Sequence, residues 1–255
     1  MSERAETSSR GTVVISQPMY FPWVGMHEQL RLADDYVDYA DVAFSKGSFT
    51  NRVQIKAPTG VQWLTLPLRN FKSGQLIAEV RLDERQPWRR KHRTALAQTY
   101  ACAPFVADAL ALVDEVFSVA TDHLADVSLA SMLAVHRYFG FQRPLRFHAS
   151  AQLNVGGSGS QRVLDIVLSL GGDHYVTGHG ALNYLDHDRF ERAGVAVEYM
   201  NYERREYPQM HPPFTPHVSA LDLVANMGKE GAAWFCSGTR PWREVLAERK
   251  AEAAP

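Results

Sequence analysis

Apolar positions along the chain change their period from one third to the next. In the first third they come as short runs and alternations. "TVVIS" (12–16) is a continuous β-branched run, the pattern of an inner strand covered on both faces. "WVGMHEQLRLAD" places Met26, Leu30 and Ala33 at helical spacing, and "DYVDYADVAFS" is extended. "RVQIKAPTGVQWLTLPL" alternates on both sides of "APTG", where Pro58 and Gly60 suit a tight reversal. This predicts a hairpin, and "IAEVRL" predicts one more short strand.

The middle is helical. "QPWRRKHRTALAQTY" opens with Pro87, a residue favoured in a first turn. Val106, Ala109, Leu110, Val113 and Phe117 form one stripe; Leu124, Val127, Met132, Val135 and Phe139 form another, stopped by Gly140. The last third alternates strand and helix. "LRFHAS", "HYVTG" and "VAVEYMNY" predict strands, while "SQRVLDIVLSLG" and "ALNYLDHDRFERAG" predict helices. "SALDLVANMG" predicts a helix capped by Ser219, with Asp222 in its first turn and Gly228 at its end. Strands separated by helices imply an α/β fold: a Rossmann-like, mostly parallel sheet with a helical middle segment and a β-hairpin insertion. The expected organisation is a single α/β domain over 12–235, a disordered polar tail at 1–11 and a frayed helix end at 245–255.

Composition narrows the class. The 255 residues are 45% apolar and 22% charged, ordinary globular values that allow a full core. The formal net charge of −1 gives no global field for nucleic acid, so any basic site must be local. No run approaches 18 apolar residues, and "MSERAETSSRG" has no apolar signal core, so no membrane association and a cytoplasmic location are expected. Cys102 and Cys236 form no metal spacing and no disulfide framework, and no metal or cofactor is expected.

The candidate chemistry begins after the first strand, where open α/β sheets bind ligands. Pro18 and Pro22 restrict the path of the loop, and Gln17, Tyr20, Phe21 and Trp23 can wall a pocket or pin the loop to the core. In "FSKGSFTNRVQIK", Lys46, Arg52 and Lys56 lie within eleven residues beside Asn51. Extended backbone puts Arg52, Gln54 and Lys56 on one face, a local anion site or a solvated strand face. "WRRKHR" sets five basic residues, Arg89 to Arg93, at the helix end that disfavours cations; a bound anion is one reason for that. Within it Lys91 is a further cation and His92 a candidate acid or base. "NVGGSGSQR" is a Gly/Ser-rich helix start with free backbone donors, yet it is neither a dinucleotide fingerprint nor a P-loop. Gly178 and His179 in "VTGHGALNYL" sit at another strand's carboxyl end.

The words "QPMYFPWVG", "FSKGSFTNRVQIK", "WLTLPL", "KHRTAL", "YACAPF", "YVTGHGALNYL" and "SALDLVANMG" occur in the order seen in the WbqC-like protein family, which this chain resembles over about residues 12–230. The family opens with His-Gln-Pro-Asn-Tyr-x-Pro-Trp; here Ser16 and Met19 replace the His and Asn, while Gln17, Pro18, Tyr20, Pro22 and Trp23 match. Asp41, Lys46, Asn51, Arg52, Trp63, Lys91 and His92 also fall on motif positions. The resemblance implies a role in surface-polysaccharide (O-antigen) or secondary-metabolite biosynthesis, with glycine or acyl transfer suggested.

The expected function is therefore a biosynthetic acyl- or aminoacyl-type transferase acting on an anionic or nucleotide-activated small molecule. His92, Lys46 and Asp41 are its expected catalytic residues. Gln17, Tyr20, Trp23, Asn51, Arg52, Lys56, Lys91, Gly178 and His179 are expected to bind substrate. One alternative is nucleotidyl transfer, with His27 in "GMH" as a fragment of the paired motif, or a cyclisation or elimination displacing phosphate or sulfate. Another is a non-catalytic partner subunit of the same pathway.

Overall fold

The computed structural model describes residues 11–141 and 144–252. All of the expected N-terminal tail except Gly11 lies outside the described residues, as do 253–255; the expected frayed end is helical as far as Glu252.

Strand β1 (Thr12–Ser16) leads through helix α1 (Val24–Leu32) to β2 (Asp35–Asp38). A long excursion follows: hairpin β3 (Arg52–Ala57) and β4 (Gly60–Thr65), the short pair β5 (Leu68–Arg69) and β6 (Arg81–Leu82), and helices α2 (Trp88–Thr99), α3 (Val106–Phe117) and α4 (Leu124–Phe139). The chain then runs β7 (Arg146–Ala149), α5 (Gly159–Ser169), β8 (His174–Thr177), α6 (His187–Arg192), β9 (Ala196–Asn201), α7 (Ala220–Met227), β10 (Gly238–Pro241) and α8 (Trp242–Glu252).

The main sheet has six strands in the order β10-β9-β8-β1-β2-β7, parallel except for β10, which pairs antiparallel with β9. The mixed α/β class, the mostly parallel sheet, the hairpin insertion and the helical middle all match the sequence pattern. In sequence order, the five parallel strands run third, second, first, fourth, fifth. That order reverses at β1, so the carboxyl ends of β1 and β8 flank a switch-point crevice.

The inner position of β1 explains its composition. Val13 and Ile15 pack with Val37, Tyr175, Val197 and the α5 residues Val163 and Val167 on one face; Val14 packs with Tyr36, Val176, Met26 and Met132 on the other. A strand covered on both faces must be apolar at every inner position. The excursion forms its own large cluster, in which Val53, Ile55 and Leu64 of the hairpin meet Leu96, Val113, Val135 and Leu223. Gly140, at φ 62°, closes α4 in the left-handed conformation that a glycine accepts without strain. The Ser219 hydroxyl accepts from the Leu221 amide at 3.2 Å and caps α7 as the sequence predicts.

Local expectations differ in four places. "IAEVRL" is a 3₁₀ turn (Ile77–Glu79) followed by only two strand residues, Arg81–Leu82. "ALNYLDHDRFERAG" breaks into a 3₁₀ turn (His179–Asn183) and α6, because the Asp186 carboxylate caps the Arg189 amide and starts a fresh helix. The extended run "DYVDYADVAFS" forms a ladder strand only over Asp35–Asp38, and beyond it Ala43 makes an isolated bridge to Leu76. Helix α3 buries Ala109, Leu112, Val113 and Val116, leaving Val106, Leu110 and Phe117 half-buried, so its core face is rotated from the expected stripe.

Candidate functional site: a cleft at the strand switch point

A cleft of about 890 Å³ opens at the carboxyl ends of β1 and β8. Its floor is Ile15 and Ser16 of β1 with Gln17 just beyond, and Thr177 of β8 with Gly178 and His179 just beyond. Tyr39 and Asp41 come from the loop after β2, and Gly157, Ser158, Gly159 and Arg162 from the start of α5. Trp23, Gln29 and Tyr202 complete the side facing α1. A crevice of this size at this position is the usual ligand site of open α/β sheets.

The proline-rich loop after β1 divides its residues between core and cleft. Tyr20 and Phe21 are fully buried: the Tyr20 amide donates to the Phe49 carbonyl at 3.0 Å and the Phe21 amide to the Ser131 hydroxyl at 2.7 Å. Phe21 has φ 40°, an uncommon value for a bulky residue. With its two neighbours so anchored, the loop turns Gln17, Met19 and Trp23 to the cleft. Trp23 packs at a tilt against Tyr202, 4.8 Å away, and His217, 5.0 Å away. Its ring lies over Gly25, where a Cβ would sit 2.3 Å from it. Ser16, the position at which the resemblance leads one to expect histidine, lines the cleft and donates its hydroxyl to the Gln17 carbonyl at 3.0 Å.

The opposite wall is built around Arg162. Its guanidinium pairs with the Asp41 carboxylate, donates from Nε to the Val155 carbonyl at 3.1 Å, and lies 5.0 Å from the centre of the Tyr39 ring. Asp41 also accepts from the Ser150 hydroxyl at 2.5 Å. Burial alone would raise the Asp41 pKa, but the bonds from Arg162 and Ser150 outweigh it and hold the carboxyl below its usual range. Asp41 is thus an anion, and Arg162 ties it to the Val155 carbonyl, just before the Gly156–Gly159 turn. That turn enters α5 with Gly157 at φ 86° and Gly159 at φ 59°. Ser158 occupies the N-cap without a side-chain cap, and the first turn carries no acidic residue. Among the described residues the Ser158 side chain does not cap the first amides of α5, and they lie at the end where the helix dipole favours negative charge.

At the end of β8 the backbone polarises the ring of His179, whose Nε2 lies 2.9 Å from the Met200 carbonyl. The carbonyl can only accept, so Nε2–H donates to it, and in the neutral tautomer Nδ1 is the nitrogen that keeps the lone pair. Gln29 donates from Nε2 to the Val176 carbonyl at 3.1 Å, which orients its side-chain oxygen away from that strand.

Of the twelve site residues singled out in the sequence, Gln17, Trp23, Asp41, Gly178 and His179 line this cleft. The other seven lie elsewhere. Tyr20 and His92 are in the core, with the Tyr20 hydroxyl 3.0 Å from His92 Nδ1. Asn51 is buried and donates to the Leu66 carbonyl at 3.4 Å. The Arg52 guanidinium stacks 4.1 Å over the Trp63 ring. Lys56 is buried, bonded to Gln209 at 3.3 Å, Thr215 at 2.9 Å and the Pro213 carbonyl. Lys46 and Lys91 are exposed. The basic run of α2 has an internal explanation: Arg89 pairs with Glu84 and Arg93 holds Asp114 through bonds of 2.6 and 2.9 Å. His27 is fully buried, and among the described residues neither ring nitrogen has a hydrogen-bond partner.

Arg162, Tyr39, Gln29 and Tyr202 are cleft residues that the sequence reading did not select. For Arg162 a signal existed: it follows "GGSGSQ" by one position, so a Gly-rich helix start carries a cation one turn in. Among the described residues, no group of three or more His, Cys, Asp or Glu side chains could hold a metal ion, and no helix is long and apolar enough to cross a membrane.

Comparison with known proteins agrees with the motif order. The profile of the WbqC-like protein family matches residues 17–233. A protein of Mycobacterium tuberculosis, described as the uncharacterized protein Rv1507c, is 27% identical over 221 residues, covering 86% of this chain and 94% of that protein. No solved structure matches.

Proposed function

Starting from a chain that belongs to the WbqC-like protein family, we propose a biosynthetic transferase of surface-polysaccharide or secondary-metabolite pathways. It moves an acyl or aminoacyl group from a phosphate- or nucleotide-activated donor. The observation that carries this reading is the uncapped Gly157–Ser158–Gly159 turn, joined through Arg162 to the cleft wall. Free amides at the start of an eleven-residue helix, with a guanidinium one turn in, match the acceptor oxygens of a phosphate. Tyr39, Tyr184, Trp23 and Tyr202 supply flat walls for the rest of the donor.

The chemistry asked of the site is modest. An activated acyl group already carries its leaving group, so the protein has to orient the donor, stabilise the departing phosphate and accept one proton. The α5 amides and Arg162 stabilise the developing negative charge. His179, with Nε2 anchored on a carbonyl, offers Nδ1 as the base. The nucleotidyl-transfer alternative has less support, because His27 is buried away from the cleft.

The test is a thermal-shift screen of the full chain against nucleotide sugars, sulfamoyl mimics of aminoacyl adenylates, and phosphorylated or sulfated amines. A ligand that binds only the folded state raises the melting temperature. The proposal expects stabilisation by an activated acyl mimic beyond that given by the free nucleotide. Equal shifts with both would count against transfer.

A further inference from the structure

We infer that the second substrate is a primary amine, bound at the carboxyl end of β8 by Gln29 and Tyr202 and deprotonated by His179. This deepens the transferase reading and rests on it for the identity of the donor. The amine subsite itself stands on separate residues.

Three groups converge on Gly178. A Cβ built there would lie 3.3 Å from the Tyr202 hydroxyl oxygen and 3.8 Å from Gln29 Oε1. Gly178 has φ −83° and ψ 166°, an ordinary extended conformation, so no backbone requirement explains the glycine; what its missing side chain leaves is space between those two atoms. His179 follows it, with its ring 5.9 Å from that of Tyr202. All four residues line the cleft.

The polarity of this space selects the ligand. Gln29 is only 5% exposed, and its amide nitrogen is committed to the Val176 carbonyl. Its Oε1 therefore faces the cleft as an acceptor, and among the described residues it has no protein partner. His179 Nδ1 is a second acceptor, for the reason given above. Burial pushes the Tyr202 phenol up, so it stays an O–H. Two acceptors and a hydroxyl that can do either suit a group rich in N–H donors. A carboxylate or phosphate would meet two acceptors at close range. The anion-favouring amides lie instead on the α5 wall, with Asp41 and Arg162.

The step balances. The ammonium gives its extra proton to solvent as it binds for reaction. The nitrogen lone pair then forms the C–N bond to the acyl carbon of the donor. The bond from that carbon to the phosphate oxygen breaks, and the phosphate leaves with the electron pair toward the α5 amides. The second proton passes from nitrogen to His179 Nδ1 and then to solvent.

The test uses n-propylamine as probe and 1-propanol as its neutral isostere, with the imidazole nitrogens of His179 followed by long-range ¹H–¹⁵N NMR of the full chain at pH 7.5. The free protein should show Nε2 protonated and Nδ1 bare. Propylamine should shift Nδ1 and 1-propanol should not. Gly178→Ala fills the space without backbone strain and should weaken propylamine at least tenfold; Gln29→Leu should do the same. Lys91→Ala, on the exposed face of α2 and outside the cleft, should leave propylamine binding unchanged. A protonated Nδ1 in the free protein, or equal effects of the amine and the alcohol, would overturn the proposal. Retained amine binding with no donor binding would leave the amine subsite standing and remove the transferase reading instead.

Discussion

The Tyr20 hydroxyl and His92 Nδ1 lie 3.0 Å apart, both buried, joining the loop after β1 to helix α2. Trp88 packs against the same imidazole at 5.8 Å. Burial lowers the His92 pKa to about 4, so the ring is neutral near pH 7 and the contact is a neutral hydrogen bond. Its role is to hold the loop that turns Gln17 and Trp23 into the cleft.

Tyr20→Phe is expected to lower stability by about 1–2 kcal/mol, the cost of stranding a buried imidazole nitrogen. Donor affinity in the folded protein should stay within twofold of wild type. Urea unfolding and calorimetric titration measure the two separately. A large loss of affinity at full stability would assign the pair to the site itself.

Acid should unfold the protein through its buried histidines. Burial lowers His27 to about 3, and His92 and His136 to about 4. The unfolded chain therefore binds more protons than the folded one below pH 6.5, and stability is full above that pH and lost as it falls toward 4. At pH 5 each histidine costs roughly 2 kcal/mol relative to pH 7. Asp38 acts in the opposite sense. Burial, with the Asp126 and Asp41 charges nearby, raises it to about 7, so its destabilising effect is relieved as pH falls through the same window. Asp38→Asn should make the acid loss steeper. Urea midpoints at pH 7 and pH 5 for both proteins check this, and an identical slope in the variant would contradict it.

Arg162→Gln leaves Asp41 without its cation and the Val155 carbonyl without its donor. The expected cost is about 2 kcal/mol, because a partly buried carboxylate loses its pair while keeping Ser150. Asp41→Asn in the same chain should recover part of it. A double-mutant cycle on unfolding free energies reads the coupling. Additive single effects would show that the pair does not tie the Gly156–Gly159 turn to the loop after β2.

Ser158→Asp supplies both a cap and a favourable charge at the start of α5, where no side-chain cap exists. Thermal unfolding should show the ligand-free protein stabilised by about 0.5 kcal/mol. A lower melting temperature would mean that the α5 amides are not free as described.

The sheet was readable because periodicity reports burial. "TVVIS" is apolar at every inner position only because two layers cover it, and Ser219, Asp222 and Gly228 mark α7 through local capping that needs no distant partner. The lining of the candidate cleft was readable where it follows a strand end, as with Gln17, Trp23, Gly178 and His179. It was misleading where charge stood in for exposure. Lys56 and Arg93 look like parts of an anion site in sequence, yet their partners Thr215 and Asp114 lie 159 and 21 residues away, where no local pattern reveals them. Gln29 was hidden for the same reason, since its orientation depends on a carbonyl 147 residues away.

The most direct measurement is the affinity of a sulfamoyl aminoacyl-adenylate mimic for wild type and Ser158→Asp, by calorimetric titration at one fixed ionic strength. If the start of α5 holds the anionic part of the donor, the variant binds at least tenfold more weakly while melting at the same or a higher temperature. Equal affinity in the two proteins would contradict the account.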